Sequence, residues 1–377
     1  MKIALVRTAS NILTYGGYNI QEIGLAKALM NYGVSSDIYA RFSNVYNDTI
    51  IAENGCCQVQ LRPLKGKQIY KEIMYYPTLK ADLLNGGYDI AQLLDDSQMM
   101  LPFLFKALKK KGCKTILWQG MYRNFPARPA RMMQIVYDMM FAGDIERNTD
   151  LKIAKTEAAK KYLESKHYQN IITIPVGLDD VEKTFNPKVD QKIEAFKKQY
   201  PYILLYIGAI EPRRNPDFLI DIFERLDKDD IGLVVIGKGV SLDDFKKRIA
   251  NSKRKKQILH FEQIPNKELG SIYGRANLFL LPTNYEIYGM VVMEALENGV
   301  PVISTPEAGP AYILSEEKYG TCLNLNEEKW CNEISRRLLN LVTDDEKNYM
   351  RNYVNMKFRW PRIASEYYDT LNKLIGE

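Results

Sequence analysis

The stretch from Leu278 to Thr305 places the tightest limits on the fold, because it holds two short apolar runs separated by a polar loop and an apolar segment of helical length. These four pieces are, in order, Leu278–Leu281, residues 283–288, Gly289–Asn298 and Val302–Ser304. Gly299 is suited to the left-handed conformation that ends a helix. A strand, loop, helix and strand in this order predict one unit of a parallel α/β sheet.

The loop of such a unit lies over the carboxyl edge of the sheet, where the next helix points its free amides and positive dipole end. The sequence therefore predicts an anion seat at this loop. Glu286 lies in the loop, and Glu294 follows eight residues later within the apolar helix. A buried carboxylate needs a polar partner, which the hydroxyls of a sugar or ribose can supply. The alternative for either glutamate is exposure on the surface of an amphipathic helix.

The length of 377 residues allows two domains, and 46% hydrophobic with 26% charged residues is ordinary for a globular protein. No segment reaches the ~18 consecutive apolar residues of a membrane span. The opening MKIALVRTAS indicates a first strand rather than a signal peptide, so we expect a cytoplasmic protein. Five scattered cysteines and two histidines give no disulfide or zinc pattern. The net charge of +6 suits anionic ligands or an ordinary basic enzyme, and we expect no nucleic-acid partner.

The chain begins with a predicted strand, polar loop and helix: Lys2–Arg7, Thr8–Tyr18 and Asn19–Asn31. Gly16 and Gly17 in the loop let the backbone approach a ligand closely. A tight turn without a ligand is the alternative. The G-x-G-x-x-G spacing of dinucleotide-binding loops is absent.

Further strands and helices alternate through the first half, which predicts a parallel sheet covered on both faces. The predicted strands are Ile90–Leu94, Thr115–Trp118, Lys152–Ala154 and Ile171–Ile174, and the predicted helices cover 98–110 and 156–166.

A basic, irregular segment, Arg123–Arg131, leads into a very apolar helix, Met132–Phe141. A buried helix is one interpretation, and a patch that faces a membrane or an acceptor is the other. Clustered lysines could add a basic face toward anionic lipid, or could simply be solvated. They are Lys65, Lys67 and Lys71, and Lys106, Lys109, Lys110 and Lys111.

A charged linker after Gly177 precedes a second α/β series that starts at Tyr202. Its first strand ends near Gly208, and Asn215 is predicted to cap the helix that Pro216 begins. Arg213 and Arg214 stand just before that helix, where paired guanidinium groups and free amides suit a diphosphate. A solvated arginine pair is the alternative.

The arginine loop and the loop from Glu286 to Met290 should flank one ligand, because both follow strands of the same sheet. We expect a nucleoside diphosphate compound. The arginines and the amides of Gly289 and Met290 would contact phosphate, Glu294 the ribose, and Glu286 the group beyond the phosphates.

These residues resemble a known family. The order GAIEPRRN, VVIGKG, HFEQIPNKELGSIYGRANLFLLP and EIYGMVVMEALENGVPVIST is similar to the retaining glycosyltransferases of family GT4, which have the GT-B fold. YGGYNIQEIGLAKALMNYG, ITIPVGLD and FRWPRIASEYY resemble the family's double-glycine loop, pre-linker segment and final helix.

The resemblance implies an α/β, GT-B architecture, with two Rossmann-like domains facing across a cleft and a C-terminal helix that crosses back to the first. Residues 1–178 with 358–377 would form the acceptor-side domain, and 179–357 the donor domain. Arg214 and Glu286 would be catalytic. The donor-binding set would be Gly16, Gly17, Gly208, Arg213, Arg214, Ile264, Tyr288, Gly289, Met290 and Glu294.

The sequence departs from the family pattern in both domains. Ala209 replaces an arginine that the family has after the strand glycine, and Gln119 replaces a frequent histidine near the donor sugar. An amide can bond a sugar hydroxyl but cannot shuttle protons as imidazole does. Gln119 and Asp95 are the acceptor-side candidates, and either Asp95 or Asp96 could instead be a solvated loop residue.

The resemblance implies retaining transfer from a nucleotide sugar, with a UDP- or GDP-sugar favoured, to a hydroxyl of a saccharide or lipid-linked saccharide in glycan assembly. No cofactor and no obligatory metal are expected, and peripheral contact with the inner membrane face is a further expectation. A sugar-nucleotide epimerase or hydrolase of the same fold is the alternative enzyme. A noncatalytic partner protein is the alternative from another class.

Overall fold

The computed structural model describes residues 1–18, 20–70 and 73–376. They form two compact units, Met1–Asp179 with Phe358–Glu377, and Asp180–Lys357. The first boundary lies one residue from the predicted one, and the second coincides with it. Asn19, where the first helix was expected to begin, and Lys71 of the lysine cluster lie outside the described residues.

The first unit is built on parallel strands joined by helices. Its described strands are β1 (Lys2–Val6), β2 (Ser35–Ala40), β3 (Thr49–Asn54), β4 (Cys57–Pro63), β5 (Lys67–Tyr70), β6 (Ile73–Tyr75), β7 (Ile90–Leu94), β8 (Lys114–Gln119), β9 (Leu151–Ala154) and β10 (Ile171–Thr173). The main sheet has the order β10-β9-β8-β7-β1-β2-β4-β3, and only the β3–β4 pair is antiparallel. The strand β7 is buried at every residue, as expected for a strand covered on both faces.

The helices of this segment are α1 (Gln21–Leu29), α2 (Leu79–Asn85), α3 (Leu101–Lys110), α4 (Arg128–Asn148) and α5 (Glu157–Ser165). The predicted strand Ile90–Leu94 is confirmed with its bounds, and the other three predicted strands are confirmed to within one residue. The antiparallel β3–β4 hairpin was not predicted. Its two turn residues are Gly55 and Cys56, and Gly55 has a φ of 61°, which glycine adopts readily at the first position of a two-residue hairpin loop.

The second unit repeats the parallel plan. Its strands are β11 (Tyr202–Ile207), β12 (Ile231–Ile236), β13 (Ile258–Phe261), β14 (Leu278–Leu281), β15 (Val302–Ser304) and β16 (Gly320–Cys322), in the order β13-β12-β11-β14-β15-β16. Its helices are α6 (Pro187–Gln199), α7 (Pro216–Arg225), α8 (Leu242–Ala250), α9 (Leu269–Tyr273), α10 (Met290–Glu297), α11 (Ala308–Ile313), α12 (Glu327–Leu339) and α13 (Asp344–Lys357). Two Rossmann-like units are therefore present, as the sequence predicts.

The unit formed by β14, α10 and β15 matches the expectation from the sequence. Both strands are buried throughout, and α10 is buried from Met290 to Leu296. Gly299 has a φ of 75° and ends the helix in the left-handed conformation. Because α10 is apolar apart from its two glutamates and is buried on all sides from Met290 to Leu296, it belongs to the core rather than the surface.

The last helix, α14 (Trp360–Gly376), belongs to the first unit and packs against α1. Trp360 is 4% exposed and lies against two glycines. A Cβ at Gly24 would lie 2.0 Å from its Nε1, and a Cβ at Gly177 would lie 2.4 Å from its Cδ2. The indole therefore fills space that only glycine leaves open, so Trp360 anchors this helix to the first unit.

The helix α4 corrects one interpretation of the sequence. The buried-helix interpretation would place its methionines and β-branched residues inside, yet Met132, Val136 and Met139 are 68%, 53% and 83% exposed. The buried residues of α4 include Gln134 instead. Within the described residues, no helix is long and apolar enough to cross a membrane.

Candidate functional site

The first wall of the site follows β11, where the chain forms a 3-10 turn, Pro212–Arg214, before α7. Asn215 links the turn to the helix with a φ of 48°, and its side chain makes no capping hydrogen bond. Asn215 therefore occupies the predicted N-cap position and Pro216 begins the helix as predicted, but the side-chain capping bond is absent. The amide of Asn215 instead donates from Nδ2 to the carbonyl of Pro282 at 2.9 Å, because β11 and β14 are neighbours in the sheet.

One backbone and one side-chain hydrogen bond join the arginine loop to the loop after β14. The N–H of Asn284 donates to the carbonyl of Arg213 at 2.7 Å, and Nη1 of Arg213 donates to the carbonyl of Tyr285 at 2.8 Å. Arg213 also pairs with Glu211 at 2.7 Å. The structure thus brings together the two loops that the sequence predicts to flank one ligand.

Arg214 is the most enclosed cation of this edge. Its side chain is 13% exposed, and Nη1 forms an ion pair with Glu286. Burial alone would lower the pKa of the guanidinium, but the carboxylate of Glu286 holds the pKa above its ordinary value. Nε of Arg214 is buried and has no hydrogen-bond partner among the described residues. A buried donor without an acceptor is costly, and an anionic oxygen would satisfy it.

Glu286 lies between Arg214 and the start of α10. Its Oε1 accepts the N–H of Gly289 at 3.1 Å, while its Oε2 faces Nη1 of Arg214. Gly289 has a φ of 81°, a conformation that favours glycine, and it sets the direction of α10. In this structure a carboxylate of the chain itself therefore occupies one amide of the predicted anion seat. We refer to Arg214, Glu286 and Gly289 together as the carboxylate seat.

Glu294 lies inside α10 and is 6% exposed. Its Oε2 accepts the hydroxyl of Tyr273 at 3.1 Å, which supplies the polar partner that a buried carboxylate requires. Three other predicted donor-binding residues have buried side chains. They are Ile264, Tyr288 and Met290, at 7%, 1% and 8% exposure.

Two glycines allow the backbones after β11 and β12 to approach each other closely. A Cβ at Gly237 would lie 1.8 Å from the carbonyl oxygen of Gly208, so the backbones touch where a side chain would clash. The next residue, Lys238, is exposed at the same carboxyl edge, and its carbonyl accepts the N–H of Ile210 at 3.1 Å. Sequence reasoning missed this cation, although a lysine between two glycines after a strand is a usable signal.

The double-glycine loop of the first unit is a tight, exposed turn. The N–H of Gly17 donates to the carbonyl of Thr14 at 3.0 Å, and Gly16 has a φ of 79°. Asn44 fixes the turn by bonding both backbone groups of Tyr15, at 2.9 and 2.7 Å. The turn follows from these bonds, and a ligand contact by the two glycines stays a prediction.

Gln119 is the last residue of β8 and Asp95 directly follows β7, so both lie at the carboxyl edge of the first sheet. Gln119 is 0% exposed, and its amide bonds Asp96 and the carbonyl of Met121 at 3.0 to 3.2 Å. These bonds give Gln119 a structural role and argue against direct contact with an acceptor. Asp95 has a φ of 54° and accepts the N–H groups of Gly120 and Met121 at 2.7 and 3.1 Å.

Charged side chains form a buried network at this edge, and it was not predicted from the sequence. Lys155, directly after β9, is 3% exposed and lies 3.8 Å from the ring centroid of Trp118. Burial lowers the pKa of Lys155 to about 8, against the opposing effect of Asp95 and Glu22. Glu22 pairs with Arg7 at 2.7 Å. Because the partners come from a helix, a strand and loops that are distant along the chain, only the fold brings them together.

The described part of the chain contains no disulfide and no cluster of metal-binding side chains. All five cysteines are free, and only Cys57 and Cys113 are buried. Over residues 1–18, 20–70 and 73–376, no group of three or more His, Cys, Asp or Glu residues could hold a metal ion.

Residues 188–355, almost the whole second unit, match the family model described as glycosyl transferases group 1. A probable sucrose-phosphate synthase of Thermosipho melanesiensis is 29% identical over 177 residues, which cover 45% of this chain. That match spans 41% of the relative's own length.

Solved structures match over the whole chain. Sucrose-phosphate synthase of Thermosynechococcus elongatus has a TM-score of 0.78 at 18% identity and covers 100% of this chain and 99% of its own. Anabaena HepE in complex with UDP has a TM-score of 0.74 at 14% identity and covers 99% and 100%. At this level of identity the likeness establishes the fold.

Proposed function

We propose, from the premise that this chain has the GT-B fold and carries a group 1 glycosyltransferase domain in its second unit, that it transfers a sugar from a nucleotide sugar to a hydroxyl group. The carboxylate seat is the observation that carries this proposal. It combines an enclosed arginine, whose Nε lacks a partner among the described residues, with the N-terminal amides of a buried helix. Such a site suits a departing diphosphate.

The need to stabilise negative charge on the leaving diphosphate would explain why arginines and helix amides lie together here. When the bond between sugar and diphosphate breaks, negative charge grows on the departing oxygen, and preorganised donors stabilise that charge. Arg213 and Arg214 would meet the phosphates, and the amides at the start of α10 would add their dipole. On donor binding Glu286 would turn from Gly289 toward the sugar, which frees that amide for phosphate.

The remaining proposed contacts involve Glu294 in α10 and Ile264 after β13. Glu294 would accept a ribose hydroxyl while Tyr273 keeps its second oxygen bonded. Ile264 lies just after β13 and would meet the base. HepE, which shares the fold, is described in complex with UDP, so a UDP- or GDP-sugar is the first donor to test.

We further propose retention of the anomeric configuration without an obligatory metal. Two arginines supply positive charge where a cation would otherwise be needed, and no acidic triplet is present in the two donor loops. The acceptor would be a saccharide or lipid-linked saccharide hydroxyl that is presented at the inner membrane face.

A donor screen followed by product analysis tests this function. The unfolding temperature is measured with UDP-, GDP-, ADP- and dTDP-sugars, because a ligand that binds the native state raises it by mass action. The stabilising donor is then incubated with and without acceptor mixtures, and NMR reads the anomeric configuration of the product. Transfer with retention is expected.

Other outcomes would replace the proposal. Consumption of donor at the same rate without acceptor would indicate an epimerase or hydrolase. Stabilisation by no nucleotide sugar, together with stable association with another transferase, would indicate a noncatalytic partner protein.

A further inference from the structure

The helix α4 turns its apolar side to solvent and its polar side to the protein, which is the reverse of an ordinary amphipathic surface helix. Six apolar side chains point to solvent, and we call them the α4 face: Met132, Met133, Ile135, Val136, Met139 and Met140, at 68%, 48%, 44%, 53%, 83% and 59% exposure. Their spacing of three and four residues places them on adjoining rows of the helix. A contiguous apolar surface of this kind on a globular protein marks an interaction site.

The opposite side of α4 holds the helix to the protein through polar bonds. Nε2 of Gln134 donates to the hydroxyl of Tyr162 at 2.7 Å, and Asp138 pairs with Lys166 at 2.9 Å. The hydroxyl of Tyr137 donates to the carbonyl of Gln98 at 2.8 Å. These bonds fix the rotation of the helix, so its apolar side cannot simply turn inward.

The neighbouring helix α3 extends the surface. Phe103 is 58% exposed and lies edge-on to Phe141 of α4, with 5.8 Å between ring centroids. Lys106 and Lys110 follow Phe103 at helical intervals and are exposed. Arg128, at the first position of α4, is also exposed.

The charge around this surface is mainly positive, although Asp144 lies one turn after Met140 on α4, where it pairs with Arg147. Between Ser97 and Gly143 the only acidic residue is Asp138, which is already paired with Lys166. The same stretch contains eight basic residues: Lys106, Lys109, Lys110, Lys111, Lys114, Arg123, Arg128 and Arg131. Arginines in the first turn of a helix oppose its dipole, so their placement does not serve helix stability.

We propose that the α4 face and its basic surround dock on an anionic phospholipid surface. Methionine, isoleucine and valine would enter the boundary between headgroups and acyl chains, and lysine and arginine would meet lipid phosphates. The flexible methionines adapt to an irregular lipid surface. This inference deepens the membrane part of the proposed function but rests on none of the donor-site residues.

Vesicle sedimentation tests the docking. The full chain is mixed with vesicles of phosphatidylcholine, or of equal parts phosphatidylcholine and phosphatidylglycerol, and the bound fraction is measured at increasing salt. Binding is expected only to the anionic vesicles, and it should weaken as salt screens the attraction. Absence of binding to anionic vesicles at low salt would overturn the proposal.

Three variants divide the contributions. Met132→Gln/Val136→Gln/Met139→Gln should lower vesicle affinity by about tenfold or more, because lipid insertion scales with buried apolar area. Lys106→Gln/Lys110→Gln should lower it about fivefold per charge and flatten the salt dependence. Leu339→Gln/Met356→Gln changes exposed apolar residues of the second unit, at 72% and 74% exposure, and should bind like the parent.

A local probe distinguishes insertion from other uses of this surface. Tryptophan fluorescence of Met139→Trp should be quenched by brominated lipids, while that of Met356→Trp should not. Self-association without lipid that the α4 triple variant abolishes would instead assign the face to a second copy of the chain and overturn the proposal. Donor stabilisation in the thermal-shift assay should be unchanged in every variant, so failure of docking and failure of the proposed function remain separate results.

Discussion

Replacing Arg214 with alanine separates the two roles of its guanidinium. In the structure it pairs with Glu286, and the two side chains are 13% and 11% exposed. Breaking a buried ion pair costs about 3–5 kcal/mol, whereas an exposed pair is worth about 1 kcal/mol or less. Because this pair keeps some solvent contact, we expect Arg214→Ala to lower the free energy of unfolding by about 2 kcal/mol.

The second, proposed role is to stabilise the departing diphosphate. Removing one preorganised donor from such a site costs about 3 kcal/mol in the transition state, which is a loss of turnover of about a hundredfold or more. The same change should weaken binding of the free nucleoside diphosphate. Calorimetric titration gives that affinity, and urea unfolding gives the stability.

The variants Glu286→Gln and Arg214→Ala/Glu286→Gln complete a double-mutant cycle. In the Glu286→Gln background the stability cost of Arg214→Ala should fall below about 1 kcal/mol, since no buried carboxylate is left unpaired. The loss of diphosphate affinity should persist. Arg225→Ala is the matched control, because Arg225 lies in α7 and pairs with Glu327 at the exposed surface. Unchanged diphosphate affinity in Arg214→Ala would refute the assignment.

Three further changes test other parts of the chain. Glu294→Gln should reduce the preference for ribonucleotides over 2′-deoxyribonucleotides by about tenfold in competition titrations, and an unchanged preference would separate Glu294 from ribose. Burial lowers the pKa of Lys155 from 10.5 to about 8, so the unfolded chain binds more protons between these pH values. The free energy of unfolding should rise with pH across that window relative to Lys155→Met, and parallel pH profiles would contradict this. Trp360→Ala should cost about 3–5 kcal/mol in urea unfolding because it leaves a cavity beside Gly24 and Gly177, and a loss below about 1 kcal/mol would deny its anchoring role.

The order of elements was predictable wherever local pattern and tertiary burial agree. The apolar runs of β7 and β14 predict buried parallel strands, and the glycine after α10 predicts its end. The meeting of Arg213 with the loop after β14 was also predictable, because parallel strands bring their carboxyl ends to one edge.

The sequence could not supply contacts whose partners are distant along the chain. From the sequence alone, Gln134 and Asp138 would form the solvent-facing polar side of α4. In the structure they instead bond Tyr162 and Lys166, so that side faces the protein and the methionines are exposed. Gln119 reads as a free amide after a strand, but its bonds to Asp96 require a neighbouring loop. The bond from Gly289 to Glu286 likewise depends on a turn geometry that no periodicity encodes.

The most direct test of the donor site compares the affinities of UDP, UMP and uridine, and of GDP, GMP and guanosine, by calorimetry in the absence of added metal. If the arginine loop and the start of α10 bind the diphosphate, one nucleoside diphosphate should bind at least about tenfold more tightly than its monophosphate, and Arg214→Ala should erase the difference. Equal affinities for diphosphate and monophosphate in both series, or a difference that survives Arg214→Ala, would contradict the proposed donor site.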